Sequence, residues 1–462
     1  MAELTDIIRP GTTRGLDFVN SEELRKRTGI SPDSVLKFAV AEMLCNALDK
    51  DSTEISVDVT VDGDFYVVTV SDNGSKKLSL DDLRLILNFE NKASSKRGLL
   101  RVSRGYLGNA LKCIFGYSYA LAEAEGLPPQ PATVKSGHRK FTIRLKPDLV
   151  KEVIETEIET AERADNGTTV FSVKFAKPKH QNAGTFERLE DVVLATCMVN
   201  PTRQISYSIL GKQGVHGSAE NSKPIRQETS VLWYKQKEFE TLFEDFRKAT
   251  PDTQLKDFIA LSRGFTAKRI IREILQDLSA FNHDSAMNNG LQFFPTTALR
   301  DVPKNAVQNL YVIMKAKSKP IAKRSIPSVL TVVGKENFER LCEQNEWSHL
   351  KYAVKATTKL ESCQLMCWGS YDVKNCKDVS HIEYPYLVEV AVFTRQNDGK
   401  GLKIYQCVNF MASMENLFER IYNINYHLGR VGLTSDHPVT VIVHLVCPVL
   451  KWLNYGKSGL DE

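Results

Sequence analysis

The sequence predicts an α+β fold in which helices cover one face of a sheet. Three observations carry this. A helical apolar pattern at 32–50 runs straight into a β-hairpin pattern at 55–70, the stretch 236–280 is helical throughout, and alternation of strand and helix returns beyond about 300. The chain has 462 residues, 42% apolar and 25% charged, the make-up of a globular protein and neither disordered nor collagen-like. At roughly 100–200 residues per domain the length implies two to four domains.

Up to about 29 the chain is mixed and charged, with Leu16, Phe18 and Val19 as anchors, and reads as an arm. Ser31-Pro32 supplies an N-cap and a first-turn proline, after which Val35, Leu36, Ala39, Val40, Met43, Leu44, Ala47 and Leu48 recur at helical spacing. Ile55, Val57, Val59 and Val61 then alternate with polar residues, Asp62-Gly63 reads as a two-residue turn, and 65–70 leads back. A second helix over 81–97 runs into the basic, small-residue segment Lys92-Ala93-Ser94-Ser95-Lys96-Arg97-Gly98. A helix near 109–123, strands near 140–146 and 168–175, and a helix near 186–197 complete this part. The helical stretch is broken at Ala249-Thr250-Pro251 and Ser262-Arg263-Gly264, and apolar strands follow at 387–393, 404–411 and 439–447. The expected units are an arm (1–30), a first domain (31–230), a helical domain (231–295) and a last domain (296–462).

Lys+Arg 61 against Asp+Glu 56 leaves a net charge of +5, too small to name a partner, so local runs matter more. Lys315, Lys317, Lys319, Lys323 and Arg324 fall within ten residues without an acid, and Arg263, Lys268, Arg269 and Arg272 mark the helical stretch. Such runs suit nucleic-acid phosphates, and are equally the solvated faces of ordinary proteins. No stretch approaches the ~18 apolar residues of a membrane span. Glu3, Asp6 and Arg9 stand where a signal peptide is apolar, so a cytoplasmic location with no membrane partner is expected. The nine cysteines lie mostly within apolar runs, as reduced core thiols do; Cys363, Cys367 and Cys376 cluster, but not at the spacing of a paired C-x-x-C zinc site.

On the first helix Glu42, Asn46 and Asp49 stand at i, i+4 and i+7 and so share a face. A carboxylate there can take a proton from an attacking water, and a carboxamide oxygen can help hold Mg²⁺. By itself such a face is more often simply solvated. Ser71-Asp72-Asn73-Gly74 closes the hairpin and fixes a carboxylate able to accept from an exocyclic amine such as adenine's, though an isolated D-N-G is more often a plain turn. Arg104-Gly105-Tyr106-Leu107-Gly108-Asn109-Ala110-Leu111-Lys112 then sets two glycines before a helix, whose N-terminal N–H groups form an anion site; no P-loop pattern occurs anywhere.

In this order and spacing E-x-x-x-N-A-L-D, D-N-G, R-G-x-x-G-N-A-L-K and Asn166-Gly167-Thr168-Thr169-Val170 resemble the ATP-binding fold of the GHKL superfamily. The resemblance implies a GHKL ATPase α/β sandwich at 31–230 in which ATP and Mg²⁺ are bound. Glu42 would be the general base, Asn46 the Mg²⁺ ligand, Asp72 the adenine reader with Gly74 beside it, and Thr168 a second adenine contact. Asp49 would belong to the same nucleotide site, and Gly105, Tyr106, Leu107, Gly108, Asn109 and Ala110 to the lid over the phosphates. Within the superfamily the chain is most similar to the B subunits of DNA topoisomerase VI and their shorter bacterial relatives. The arm residues Leu16 to Gly29 carry this likeness, as do the insert segments Leu255-Lys256-Asp257-Phe258-Ile259 and Thr266-Ala267-Lys268-Arg269-Ile270-Ile271. So do 386–392, 441–445 and Tyr455-Gly456-Lys457-Ser458 in the last section.

That resemblance implies a helix–two-turn–helix-like insert, a transducer-like last domain, and Lys457 as the lysine that reaches the γ-phosphate. It further implies an ATP-dependent homodimer that acts on DNA with a separate cleaving subunit, since no Tyr-plus-acidic module for cutting DNA is evident. Two alternatives stand beside it: a GHKL ATPase that assembles or regulates another protein without strand passage, and a nucleotide-binding scaffold without turnover. The chain departs from the family at Lys76, where the D-x-G-x-G pattern has its second glycine, and at Ala110, where the lid has its third. It also reaches its last residue, Glu462, soon after Lys457, so the docking stalk of topoisomerase VI is expected to be absent.

Overall fold

The computed structural model describes residues 15–90, 99–103, 109–164, 167–179, 187–219, 228–283, 291–362, 381–395, 401–414 and 424–450. Its fold is mixed α+β, with two sheets separated in sequence by helices. The first part runs α1 (Ser21–Thr28), α2 (Val35–Leu48), β1 (Glu54–Asp62), β2 (Phe65–Asp72), α3 (Leu80–Ile86), α4 (Ala110–Ala124), β3 (Ala132–Ser136), β4 (Arg139–Asp148), β5 (Val153–Glu162), β6 (Thr169–Ala176), α5 (Glu187–Met198), β7 (Gln204–Ile209) and β8 (Lys212–His216). These strands form one eight-stranded sheet in the order β5-β4-β3-β6-β2-β1-β7-β8, antiparallel except for the β1–β7 pair.

Alternation decides which residues face the helices. Ile55, Val57 and Val59 of β1 and Tyr66, Val68 and Val70 of β2 are buried, and Asp72 continues that same face by period two. The hairpin turn lies one residue later than the sequence reading placed it. Asp62 pairs with Phe65, so Gly63 and Asp64 make the turn, and Gly63 takes the positive φ of 55° that its first position requires.

Helix α2 was expected to keep a polar face, yet it is buried on nearly every side, Glu42 included. The cause is its position: it packs on β1 and β2 and is flanked by α4 and α5, so it reads as an interior helix. The helix expected over 81–97 ends as α3 at Ile86, behind a Ser79/Asp82 capping box, and 91–98 lie outside the described residues.

The middle of the chain is α6 (Gln236–Ala249), α7 (Leu255–Ala260), α8 (Lys268–His283), α9 (Lys304–Lys317), α10 (Ile326–Leu330) and α11 (Lys335–Gln344). Phe258 of α7 holds Phe239, Phe243 and Phe246 of α6 edge-on at 4.8–5.7 Å between ring centres. Helix α9 packs on α6 and α8 and so extends the helical unit past residue 295. The last part is β9 (Trp347–Ser362), β10 (His381–Arg395), β11 (Lys403–Val408), β12 (Met411–Ala412), α12 (Ile424–Arg430) and β13 (Val439–Val446), in a five-stranded sheet ordered β12-β11-β13-β10-β9.

The two sheets meet at α5, which touches β11 and β12. Asn200 Nδ2, just past α5, donates to Phe410 O (2.8 Å), and Ala412 N donates to Thr196 Oγ1 (3.2 Å). Behind this seam a buried Glu389 accepts from Val333 N, Gly334 N, Tyr352 Oη and His444 Nδ1, all at 2.8–3.0 Å. Phe410 N donates to His444 Nε2 (3.1 Å), which fixes the imidazole as the Nδ1–H tautomer. Burial raises the pKa of Glu389, but the bonds and charge of His444 and the two backbone N–H groups outweigh it and hold the carboxyl below its ordinary value.

Candidate nucleotide site

The chemistry-bearing residues gather where α2 crosses the ends of β2 and β6. A recess of about 270 Å³ there is lined by Met43, Asn46, Ala47 and Lys50 from α2 and its end, Val70 and Asp72 from β2, Leu111 from α4 and Phe171 from β6. Its walls are apolar and its rim carries a few convergent polar groups, the ordinary design of a small-ligand site.

Asp72 is 4% exposed and held by three donors: Ser52 Oγ (3.1 Å) and Gly74 N (3.0 Å) on Oδ1, and Lys50 Nζ (2.7 Å) on Oδ2. Gly74 is needed for close packing. A Cβ there would stand 2.8 Å from Ser52 Oγ, 2.9 Å from Asp72 Oδ1 and 3.0 Å from Lys50 Cβ. Its neighbour Asn73 turns back, its Oδ1 accepting from Thr53 N (2.9 Å) and Glu54 N (3.1 Å) and so tying the D-N-G loop to the start of β1. Lys76 is exposed, while Lys77 Nζ bridges Gly74 O and Gly167 O, both at 2.8 Å, and links the D-N-G loop to the loop before β6.

The β2–β6 register sets Thr169 directly opposite Asp72, on the same face. Thr169 is fully buried, and its Oγ1 lies 3.4 Å from Ser136 Oγ. Thr168 precedes the strand and is half-buried, so of the two threonines it is Thr169 that shares the face of Asp72. This pairing joins residues about a hundred apart, and no local pattern marks it.

Glu42 is 4% exposed, Asn46 half-buried in the recess wall, and Asp49 exposed. A carboxylate so far buried in a mostly apolar helix is not a solvated face. It lies near α4: burial pushes the Cys113 thiol up to about 12, and the charge of Glu42 adds to that rise. Leu111, in the first turn of α4, lines the recess, so this helix N-terminus and its unclaimed N–H groups border it. Asn109 caps the helix without a side-chain cap bond; it is 1% exposed, and neither its Nδ2 nor its Oδ1 has a partner. A buried amide without partners beside a helix N-terminus suits an incoming phosphate.

Two cations here escaped the sequence reading. Arg101 is half-buried with Nε unpaired; burial lowers its pKa, against the nearby charge of Asp49. Lys112 of α4 is 1% exposed, and burial pulls it down from 10.5 to about 8. The segment 99–103 that carries Arg101 is pinned at both ends: Leu100 N donates to Tyr234 Oη (2.7 Å), and Asn409 Nδ2 donates to Ser103 O (3.2 Å).

Gly105, Tyr106, Leu107, Gly108 and Lys457 lie outside the described residues, as do Cys363, Cys367 and Cys376. Among the described residues no group of three or more His, Cys, Asp or Glu is arranged to hold a metal, and no helix is long and apolar enough to cross a membrane. The basic run near 315–324 is thinner than its sequence suggests. Lys315 is buried with Nζ donating to Tyr311 Oη (3.0 Å), and Lys317 pairs with Asp277 (2.8 Å), which leaves Lys319, Lys323 and Arg324 exposed.

No family model and no curated protein sequence matches the chain. Among solved structures it is similar to the ATPase region of Saccharomyces cerevisiae topoisomerase II, with a TM-score of 0.37 and 10% identity over 93% of this chain and 77% of that one. It is also similar to the B-subunit of the DNA gyrase from Myxococcus xanthus, with a TM-score of 0.35 and 9% identity over 98% of this chain and 88% of that one.

Proposed function

We propose that the chain is an ATP-binding and ATP-hydrolysing clamp of the GHKL type that dimerises with nucleotide and acts on DNA with a separate cleaving partner. One observation supports this above the others: a buried, triply held Asp72 and the side chain of Asn46 line one apolar recess, with the N-terminus of α4 at its edge. The base enters between Met43, Val70 and Phe171, its exocyclic amine toward Asp72 and Thr169. The phosphates lie toward Asn109 and the first turn of α4, and the resemblance assigns Gly105, Gly108 and Lys457 to them.

The donor set fits Mg²⁺, a hard cation that takes few protein ligands and keeps several waters. Asn46 would hold it, and when bound it offsets the negative charge of the phosphates. Glu42, out of bulk water, orients the attacking water and takes its proton. The test is calorimetric binding of ATP, then gel filtration with and without a non-hydrolysable analogue. Glu42→Ala should abolish hydrolysis and keep nucleotide-driven dimerisation. Unchanged turnover in that variant removes Glu42 from the role, and absence of ATP binding by the wild type overturns the reading.

The burial of Lys315 and the pairing of Lys317 favour a second reading, an ATPase that assembles another protein without strand passage. DNA affinity that falls steeply with salt supports the first reading over the second.

A further inference from the structure

We infer that Lys50 sets the base specificity of this site and opens it to guanine nucleotides as well as adenine ones; the inference rests on the nucleotide reading of the recess given above. The premise is how Asp72 is engaged. Its Oδ1 has both lone pairs taken, by Ser52 Oγ and Gly74 N, and its Oδ2 has one taken, by Lys50 Nζ at 2.7 Å. One acceptor site remains on Asp72. The Lys50 ammonium carries three N–H groups and gives one to Asp72, so further donors stand beside that single acceptor. Lys50 and Asp72 both line the recess, and their side chains are 16% and 4% exposed.

A carboxylate alone is an acceptor-only wall. It takes the 6-amino group of adenine and repels the 6-oxo group of guanine or hypoxanthine. With Lys50 in place the wall presents a donor next to an acceptor. Adenine matches it through N6–H to Asp72 and N1 from Lys50. Guanine matches it equally well through O6 from Lys50 and N1–H to Asp72, so neither base leaves a buried polar group unpaired.

The experiment measures binding of ATP, GTP and ITP to the full chain, wild type and Lys50→Met, by calorimetry with Mg²⁺ present. Lys50→Gln keeps a neutral donor, and circular dichroism checks that each variant is folded. The wild type should bind ATP and GTP within about tenfold of each other, with ITP following GTP. Lys50→Met should weaken GTP and ITP by about 10- to 100-fold, the worth of one hydrogen bond to a charged group. It should change ATP by less than about threefold, because water can replace the donor at N1. Lys50→Gln should recover part of the GTP binding.

Two results overturn the inference and leave the nucleotide reading standing: a wild type that binds ATP more than 100-fold tighter than GTP, or an ATP/GTP ratio that Lys50→Met does not change. A wild type that binds ATP and GTP but not ITP overturns the 6-oxo readout. Failure to bind any of the three overturns both the inference and the nucleotide reading.

Discussion

Replacing Gly116 by alanine should loosen the N-terminal turn from the body of the protein, although glycine to alanine inside a helix ordinarily gains about 0.5–1 kcal/mol. The sign reverses because of what Gly116 touches. A Cβ on this residue of α4 would be driven into the carbonyl oxygen of Phe18 and would stand 3.0 Å from its carbon, and a backbone neighbour cannot rotate aside. Phe18 belongs to a short 3₁₀ turn, Gly15–Phe18, and is 1% exposed. Its ring meets Phe89 edge-on at 5.4 Å and lies 5.0 Å beneath the Arg27 guanidinium, which also pairs with Asp17. Lifting the turn forfeits the burial of a phenylalanine, about 3–5 kcal/mol. After the helix gain of about 1 kcal/mol is subtracted, opening of this segment should become easier by about 2–4 kcal/mol, or about 30- to 1,000-fold. Hydrogen exchange followed by mass spectrometry reads this directly: a peptide spanning 15–28 should exchange faster by that factor, while peptides from α2 and α5 keep the wild-type rate. Equal or slower exchange at 15–28 would refute the close-approach account of Gly116.

Lys112→Met should stabilise the protein at neutral pH. Burial lowers this lysine from 10.5 to about 8, so the unfolded chain binds the proton more tightly, and wild-type stability rises as pH goes from about 8 to 10.5. Below pH 8 the full cost applies, about 3 kcal/mol at 1.36 kcal/mol per pH unit. Urea midpoints at pH 7 and pH 10 should therefore differ in the wild type and converge in the variant; a less stable variant at pH 7 would show that the contacts of Lys112 outweigh its desolvation. Gly74→Ala should leave the melting temperature nearly unchanged but weaken nucleotide binding about 10- to 100-fold, because its Cβ would crowd Asp72, Ser52 and Lys50 together. Retained affinity in that variant would dissociate the D-N-G loop from the base.

Local pattern made α2, α4, the β1–β2 hairpin and β13 legible, because each buries a stripe that its own spacing announces. The strands that escaped notice have weak patterns for a physical reason. β5 alternates glutamates and threonines at the outer edge of its sheet, and β9 is an edge strand of the other, where one side has no neighbour to specify it. The site divides in the same way. Glu42, Asn46 and Asp72 stand in short motifs and could be found by chemistry and spacing. Lys50, Thr169 and Arg101 reach the recess only through the position of α2's end, the β2–β6 register and the pinning of 99–103, which are products of tertiary folding.

The tether on 99–103 also bears on the order in which the protein is built. Its two anchors come from residues 134 and 306 positions further along the chain than their partners in the segment. Such distant closures are made slowly and after local structure, since loop entropy is lost before the contact is gained. The first sheet can therefore form early with its recess outlined, while the stretch carrying Arg101 waits for Tyr234 and then for Asn409. On a ribosome the site would be completed only when nearly nine-tenths of the chain has been made, and a nascent protein would be spared from engaging nucleotide before the part that must respond to it exists.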